Sequence, residues 1–108
     1  RGPRSAAAMR RTVSIVIPVY NECETLPALA QRLAAVIDRQ HDVAFEVVLV
    51  DDGSRDGSAE IVDALCDADA RFGAIHLSRN FGHQAALQAG LDAASGDAVV
   101  LMDADLQD

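Results

Sequence analysis

Apolar residues in this chain follow two patterns, continuous runs and runs with a spacing of three or four. A strand buried on one face alternates polar and apolar residues, so a continuous run predicts a strand buried on both faces. Two such runs occur, at 13–19 and 45–50, interrupted by Ser14 and Glu46, and the shorter runs at 74–77 and 98–102 predict a third and a fourth strand. The first run is ended by Pro18-Val-Tyr-Asn21, in which the proline removes a ladder donor and frees the chain to leave the sheet.

Spacings of three and four between the strands predict three amphipathic helices. Their apolar positions are Leu26, Leu29, Leu33, Val36 and Ile37, then Ile61, Val62, Leu65 and Ala68, and finally Leu87, Leu91 and Ala94. Asn21 or Glu24 is expected to cap the first helix, and Asp56 or Ser58 the second. Ser95-Gly96 predicts a left-handed end for the third. Gly90, inside that helix, predicts close packing on the sheet, because glycine costs about 1 kcal/mol relative to alanine there.

Strand and helix alternate over about 90 residues, in roughly four βα units. This order predicts the α/β class: a parallel Rossmann-like sheet with flanking helices on both faces and right-handed crossovers. Ligands of such sheets bind beyond the carboxyl ends of the strands, so 20–22, 51–54 and 103–108 are expected to share one rim. Residues 1–12 are interpreted as a disordered leader, and 13–108 as the folded part.

The composition disfavours some classes of binding partner and cellular setting. The 108 residues carry a net charge of −8 with nine arginines and no lysine, which disfavours a nucleic-acid surface. No run approaches the roughly 18 apolar residues of a membrane span. Cys23 and Cys66 lie far apart without a CxxC pattern, so both are expected to be reduced thiols of a cytoplasmic protein.

Asp103-Ala-Asp105 is the candidate metal site. Two carboxylates separated by one small residue, placed after a buried strand, can face one divalent ion, and Gln107 can add an amide oxygen. Mg²⁺ and Mn²⁺ take oxygen ligands and keep sites for phosphate and water. Aspartates after strands are also common turn residues, so the motif is ambiguous on its own.

Two further segments reach the same predicted rim. The Asp51-Asp52 pair follows the second strand and can accept hydrogen bonds from a base or ribose, although a turn with a helix cap explains it equally. Gathered carboxylates without a basic neighbour would repel one another, and a bound cation would relieve this. After the first strand, Tyr20 can flank a base and Glu22 can hydrogen-bond a nucleotide, but a plain connection is also possible.

Ser78-Arg-Asn-Phe-Gly-His83 leads into the third helix, whose positive end suits a phosphate. Arg79 is the candidate diphosphate contact. His83 is interpreted as a solvated surface residue. His41 and His76 have no acid partner visible in the sequence and receive no role.

Three segments together resemble glycosyltransferase family 2, of the GT-A fold: Ser14-Ile-Val-Ile-Pro-Val-Tyr-Asn-Glu22, Val50-Asp-Asp-Gly-Ser-Arg-Asp-Gly-Ser58 and Val100-Leu-Met-Asp-Ala-Asp-Leu-Gln107. The stretch 77–90 is similar to the polyprenyl-phosphate branch, which includes dolichyl-phosphate mannose synthases and undecaprenyl-phosphate glycosyltransferases. The resemblance implies a nucleoside pocket formed by Pro18, Tyr20, Glu22, Val50, Asp51 and Asp52. It also implies that Asp103 and Ala104 contact the donor diphosphate, with Mg²⁺ or Mn²⁺ held by Asp103, Asp105 and Gln107.

The implied reaction transfers a sugar from a GDP- or UDP-linked donor to a polyprenyl phosphate at the cytoplasmic face of a membrane. In the family the acceptor elements and any general base follow the DxD motif, so 13–108 would be the N-terminal, donor-binding part of an incomplete domain. Membrane association would come only from downstream segments. These residues alone are expected to bind nucleotide weakly and to turn nothing over.

Three alternatives stand beside this interpretation. A non-catalytic nucleotide-binding remnant would share every motif. A Mg²⁺-dependent phosphoacceptor regulatory domain would need an acidic pair after the first strand, where only Glu22 is near. A nicotinamide-binding domain would need GxGxxG at that place, where the sequence has Pro18-Val-Tyr-Asn21.

Overall fold

The computed structural model describes residues 11–104, in which strands and helices alternate. The strands are β1 (Arg11–Val19), β2 (Val43–Asp51), β3 (Phe72–His76) and β4 (Ala98–Leu101), and the helices are α1 (Leu26–Asp38), α2 (Ser58–Ala68) and α3 (His83–Ala93). The strands form one parallel sheet in the order β3-β2-β1-β4. The predicted α/β class is therefore confirmed. Within residues 11–104, no helix is long and apolar enough to cross a membrane.

Alternate residues of the two central strands supply two separate cores, one on each face of the sheet. On one face Ile15, Ile17 and Leu49 pack with α1 and with Val62 of α2. On the other face Val16, Val48 and Val50 pack with Ala86 of α3. Both faces of β1 and β2 are covered, which explains why these strands are continuous apolar runs. Helices on both faces were expected and are confirmed.

Several predicted boundaries and caps are wrong. Arg11 and Thr12, assigned to the leader, belong to β1, where Arg11 pairs with Val43. Thr25 precedes α1 in place of Asn21 or Glu24, and its side chain makes no cap hydrogen bond.

At the start of α2 the cap position belongs to Gly57, with φ of 95°. Asp56 bonds to Ser58 instead, accepting from its backbone N–H at 3.0 Å and from its hydroxyl at 2.6 Å. These bonds, above all the one from the hydroxyl, hold the pKa of Asp56 far below its ordinary value. A local turn has therefore replaced the predicted helix cap.

The predicted end of α3 is wrong, and of its predicted face only Ala94 packs against the core on that side of the sheet. Leu91 is 40% exposed, and the buried positions of the helix are Ala86 and Gly90. The helix ends at Ala94, which is extended, rather than in a left-handed Ser95-Gly96 cap. Small residues face the sheet because the helix lies very close to it. A Cβ on Gly90 would overlap Val16 Cγ1 and lie 3.1 Å from Val50 Cγ2, so the close packing expected at Gly90 is confirmed.

We expect Gly90→Ala to destabilise the fold, although alanine favours a helix over glycine by about 1 kcal/mol. The added methyl overpacks the core beneath α3, at a cost of about 1–3 kcal/mol beyond that gain. Val16→Ala on the same background removes the overlapping methyl, so the double variant should lose less than the two single losses added together. Urea denaturation measures the three free energies of unfolding. A Gly90→Ala variant more stable than the parent would contradict the packing argument.

Candidate nucleotide site

A cleft of about 410 Å³ opens where the central strands and β4 end. Its walls are formed by Pro18, Val19, Tyr20, Glu22, Asp52, Asn80, Gly82, His83, Asp103 and Ala104. Segments following β1, β2 and β4 therefore do meet at one rim, as the parallel sheet predicted. Six residues assigned to the site from sequence lie in this cleft: Pro18, Tyr20, Glu22, Asp52, Asp103 and Ala104.

The Asp103-Ala104 segment is tied to the first helix by a residue that sequence reasoning missed. The Thr25 hydroxyl, at the start of α1, donates to the Ala104 carbonyl at 3.0 Å. Ala104 is buried, whereas Asp103 is exposed on the cleft wall. The hydrogen bond from Thr25 thus holds the backbone of the segment that carries Asp103. Asp105 and Gln107, the other predicted metal ligands, lie outside the described residues.

Asp52 has a different surrounding from the one expected. The residue is 3% exposed, and its carboxylate accepts hydrogen bonds from the backbone N–H groups of Phe81, at 2.8 Å, and Gly82, at 3.1 Å. Charge-assisted bonds of this kind are among the strong ones in proteins. The side chain therefore holds the segment before α3 in place, and its charge is already stabilised without a cation.

Asp51 is paired with a histidine, contrary to the expectation for both residues. His76 Nδ1 lies 3.0 Å from Asp51 Oδ2, and His76 Nε2 lies 2.7 Å from Asp63 Oδ1. The other oxygen of Asp51 accepts from the Ser54 backbone N–H at 3.0 Å. Contrary to prediction, His76 has two acid partners, and the Asp51-Asp52 pair has a basic neighbour.

The pKa of His76 is raised above its ordinary value, first by the hydrogen bond to Asp51 and then by the one to Asp63. A raised histidine pKa means that the pair stabilises the fold below about pH 6.5, the unperturbed value. This contribution is lost as the pH rises through the higher pKa of the folded state.

Val50 does not form part of the cleft. Its side chain is fully buried and packs with Val16, Val48 and Ala86 beneath α3. Successive side chains of a strand point to opposite faces, so the position at the end of β2 placed Val50 in the core. Its predicted contact with a nucleoside is wrong for the side chain.

A second hollow of about 400 Å³ lies beside the cleft, and we call it the side hollow. It is lined by Tyr20, Asp51, Gly53, Ser54, Arg55, Leu77, Ser78, Arg79 and Asn80. Tyr20, 44% exposed, and Asn80 border both spaces. Arg79 lies in the side hollow, with its guanidinium 4.4 Å from the centre of the Phe81 ring. The predicted diphosphate contact is therefore not on the wall that carries Asp103.

Asn80, Gly82 and His83 line the cleft but were not assigned to it from sequence. His83 is exposed, as expected for a solvated residue, yet it also borders the cleft at the first turn of α3. These residues could have been predicted, because they belong to the connection between β3 and α3. A parallel sheet brings that connection to the same rim as the connections that follow β1 and β2. Gly82, with φ of 105°, makes the turn that directs the helix start toward the cleft.

Of the three predicted metal ligands, Asp103 lies in the part of the chain that the structure describes. Between residues 11 and 104, no three His, Cys, Asp or Glu side chains are grouped as ligands. Asp103, an exposed carboxylate at the cleft wall, nevertheless has the oxygen chemistry that Mg²⁺ and Mn²⁺ prefer.

Cys23 and Cys66 are free thiols, as expected.

Comparison with known families agrees with this geometry. Residues 14–108 match the family described as glycosyl transferase family 2. The chain belongs to glycosyltransferase family 2. This membership confirms the resemblance drawn from the three motifs, and it favours that assignment over a phosphoacceptor or a nicotinamide-binding domain.

Curated family 2 relatives include undecaprenyl-phosphate 4-deoxy-4-formamido-L-arabinose transferases. The protein of that name from Pseudomonas syringae pv. syringae (strain B728a) is 52% identical over 96 residues, which are 88% of this chain and 28% of that protein. The one from Aeromonas hydrophila subsp. hydrophila is 48% identical over 98 residues, covering 90% of this chain and 30% of that protein. The chain thus spans under a third of these relatives.

Solved structures of other proteins share the fold. The mannosyltransferase PcManGT of Pyrobaculum calidifontis, in complex with GDP-Man and Mn²⁺, superposes with a TM-score of 0.76 at 28% identity, over 89% of this chain and 28% of that one. TarS 1-349 of S. aureus, in complex with UDP, gives a TM-score of 0.75 at 29% identity, over 87% of this chain and 27% of that one. The sheet and cleft described above therefore belong to a glycosyltransferase architecture.

Proposed function

We propose that the protein transfers a sugar from a nucleotide-sugar donor to a polyprenyl phosphate, and that this chain holds the donor. The observation that carries the proposal is the cleft itself, which joins Tyr20, Glu22 and the Asp103-Ala104 segment at one rim. The named relatives act on undecaprenyl phosphate, and the structural neighbours hold GDP-Man or UDP. A GDP- or UDP-linked donor and a polyprenyl-phosphate acceptor follow by similarity. The acceptor is a membrane lipid, and we place transfer at the cytoplasmic face.

Each part of the cleft has a chemical role in this proposal. Tyr20 borders both the cleft and the side hollow, so its ring can stack on the base while the ribose and diphosphate extend toward Asp103. Gly82 and His83 present the positive end of α3 to the same space, where it attracts the anionic diphosphate. The donor is thereby oriented before any reaction.

Asp103 would hold a divalent cation together with Asp105 and Gln107. Mn²⁺ accompanies GDP-Man in the PcManGT structure, and either Mn²⁺ or Mg²⁺ fits carboxylate and amide oxygens. A bound cation offsets the negative charge that develops on the departing nucleoside diphosphate. In the transfer, a phosphate oxygen of the acceptor forms a bond to the anomeric carbon as the bond to the diphosphate breaks. The acceptor oxygen is already anionic, so a strong base is not required.

We expect Asp103→Asn to weaken Mn²⁺-dependent binding of UDP or GDP about 10- to 100-fold, equivalent to about 1.4–2.8 kcal/mol. The substitution removes the charged oxygen that faces the cation, while the exposed position limits any loss of stability. Calorimetric titration of each nucleotide, with and without Mn²⁺, measures the effect.

Asp42→Asn is the matched control, because Asp42 is an exposed carboxylate just before β2, at the opposite rim of the sheet. It should leave the affinity unchanged. Transfer is then assayed with vesicles that contain undecaprenyl phosphate. Nucleotide binding that is unchanged both by Mn²⁺ and by Asp103→Asn would refute the metal assignment. Because residues 13–108 alone are expected to turn nothing over, the transfer assay is decisive only for the full-length protein, in which binding without transfer would favour the non-catalytic remnant.

A further inference from the structure

His76 lies between two carboxylates, so a neutral imidazole can donate a hydrogen bond to only one of them. Both ring nitrogens face carboxylate oxygens, Asp51 at 3.0 Å and Asp63 at 2.7 Å. A neutral ring carries one N–H and would turn a lone pair toward one of the two carboxylates. The geometry therefore favours an imidazolium with two N–H donors.

The two carboxylates differ in exposure. Asp51, from β2, has a side chain that is 4% exposed, whereas Asp63, from α2, is 64% exposed. Asp67 lies one turn further along α2 and adds negative charge; burial first, and then the charges of Asp63 and Asp67, raise the pKa of the Cys66 thiol. Asp51 is thus a buried charge whose counter-ion is His76, and His76 is in turn held by Asp63.

Hydrogen bonds connect Asp51 to the proposed donor site. Its second oxygen accepts from the Ser54 N–H at 3.0 Å, and the Ser54 hydroxyl accepts from the Asn21 N–H at 2.9 Å. Asn21 has φ of 52°, a left-handed conformation, and its side-chain oxygen accepts from the Arg55 N–H at 2.9 Å. Tyr20, the next residue, borders both the cleft and the side hollow. The chain of bonds therefore runs from α2 to the wall of the proposed base-binding region.

We propose that His76, as an imidazolium between Asp63 and Asp51, is a positioning residue for donor binding that keeps the 51–55 loop docked on Asn21 and Tyr20. This inference rests on the proposed function. Loss of the imidazolium proton removes one of the two bonds and leaves the buried Asp51 charge without its counter-ion. The docked loop then loosens, and nucleotide affinity falls as the pH rises.

The test compares the parent protein with Asp63→Asn and His76→Gln. UDP affinity is measured by calorimetry with Mn²⁺ between pH 6.5 and 9, and the His76 ring and the Ser54 and Asn21 amides are followed by NMR over the same range. In the parent, affinity should fall at least about fivefold as His76 deprotonates. Asp63→Asn removes one carboxylate from His76 and should move the same fall to lower pH. His76→Gln keeps a donor for Asp51 but no charge, so its affinity should be low throughout and independent of this titration.

Asp63 lines neither the cleft nor the side hollow, so a shift caused by Asp63→Asn cannot come from a lost nucleotide contact. An affinity profile that is identical in all three proteins would overturn the inference. Should neither UDP nor GDP bind the parent at any pH, the proposed donor site would be refuted. The coupling between His76 and the 51–55 loop is then tested separately by NMR. Amide resonances of Ser54 and Asn21 that shift with the His76 titration support the coupling, and resonances that do not shift refute it.

Discussion

Replacing Gly53 by alanine is expected to destabilise the protein by about 2–5 kcal/mol and to abolish measurable nucleotide binding. Gly53 has φ of 72°, where an L side chain adds about 1–2 kcal/mol of strain. A Cβ there would also overlap the Arg79 carbonyl carbon and the Asn80 nitrogen, and lie 2.8 Å from Arg79 Cα. These are backbone atoms that cannot rotate away, so the overlap adds about 1–3 kcal/mol. Relief requires the 78–82 segment to move, and that segment lines both the cleft and the side hollow.

Gly57→Ala is the matched control. Gly57 also has a positive φ, 95°, but nothing lies within 4 Å of a Cβ added there. It should show the strain alone, about 1–2 kcal/mol, and retain nucleotide binding. Denaturant unfolding and calorimetry on both variants separate strain from overlap. Equal losses of stability in the two would mean that contact between Gly53 and the 79–80 backbone is unimportant.

The order of strands and helices could be predicted because each central element has a pattern of its own. Residues 15–19 and 47–50 are nearly all buried, as a continuous apolar run requires, and Leu26, Leu29 and Leu33 of α1 face the sheet at helical spacing. The shared rim followed from parallel strands alone. That is why Tyr20, Asp52 and Asp103 were placed together correctly without coordinates.

The face of α3 could not be found in the same way. Leu87 and Leu91 are the large apolar residues of that helix, and a count of periodicity selects them. The helix instead turns Ala86 and Gly90 to the sheet, because only small side chains allow its close approach to Val16 and Val50. A distance between layers is a property of the packed structure, and the hydrophobic pattern of one helix does not contain it.

The partners of the two adjacent aspartates were missed for a related reason. Asp51 and His76 become neighbours only because β2 and β3 pair in the register that sets them side by side. The pair is separated by 25 positions in the sequence, and a register shift of one residue would turn His76 to the other face. Both residues could be predicted to lie near the ends of their strands, but their ion pair could not.

Asp52→Ala is expected to lower the free energy of unfolding by about 3 kcal/mol or more and to weaken nucleotide binding by about two orders of magnitude. Hydrogen bonds to charged groups contribute about 1.5–3 kcal/mol each, and alanine removes the acceptor of both the Phe81 and the Gly82 N–H. Those groups also lose their partner in a part-buried site. The start of α3 is then no longer tied to β2, so Asn80, Gly82 and His83 lose their fixed positions around the cleft.

Asp52→Asn separates charge from acceptor geometry. The amide oxygen can still accept from Phe81, but its NH₂ group would face the Gly82 N–H, so we expect roughly half of the loss. Asp69→Ala is the control, because it also removes an aspartate that accepts a hydrogen bond from the backbone. Asp69 accepts from the Arg71 N–H at 3.0 Å and lies just before β3, at the opposite rim of the sheet. It should lower stability and leave affinity unchanged. If Asp52→Ala alters stability but not nucleotide affinity, the 79–83 segment is not part of the binding site. If affinity falls in the native state, as we expect, the role of Asp52 is to position that segment, and the contacts to the donor come from the residues it holds.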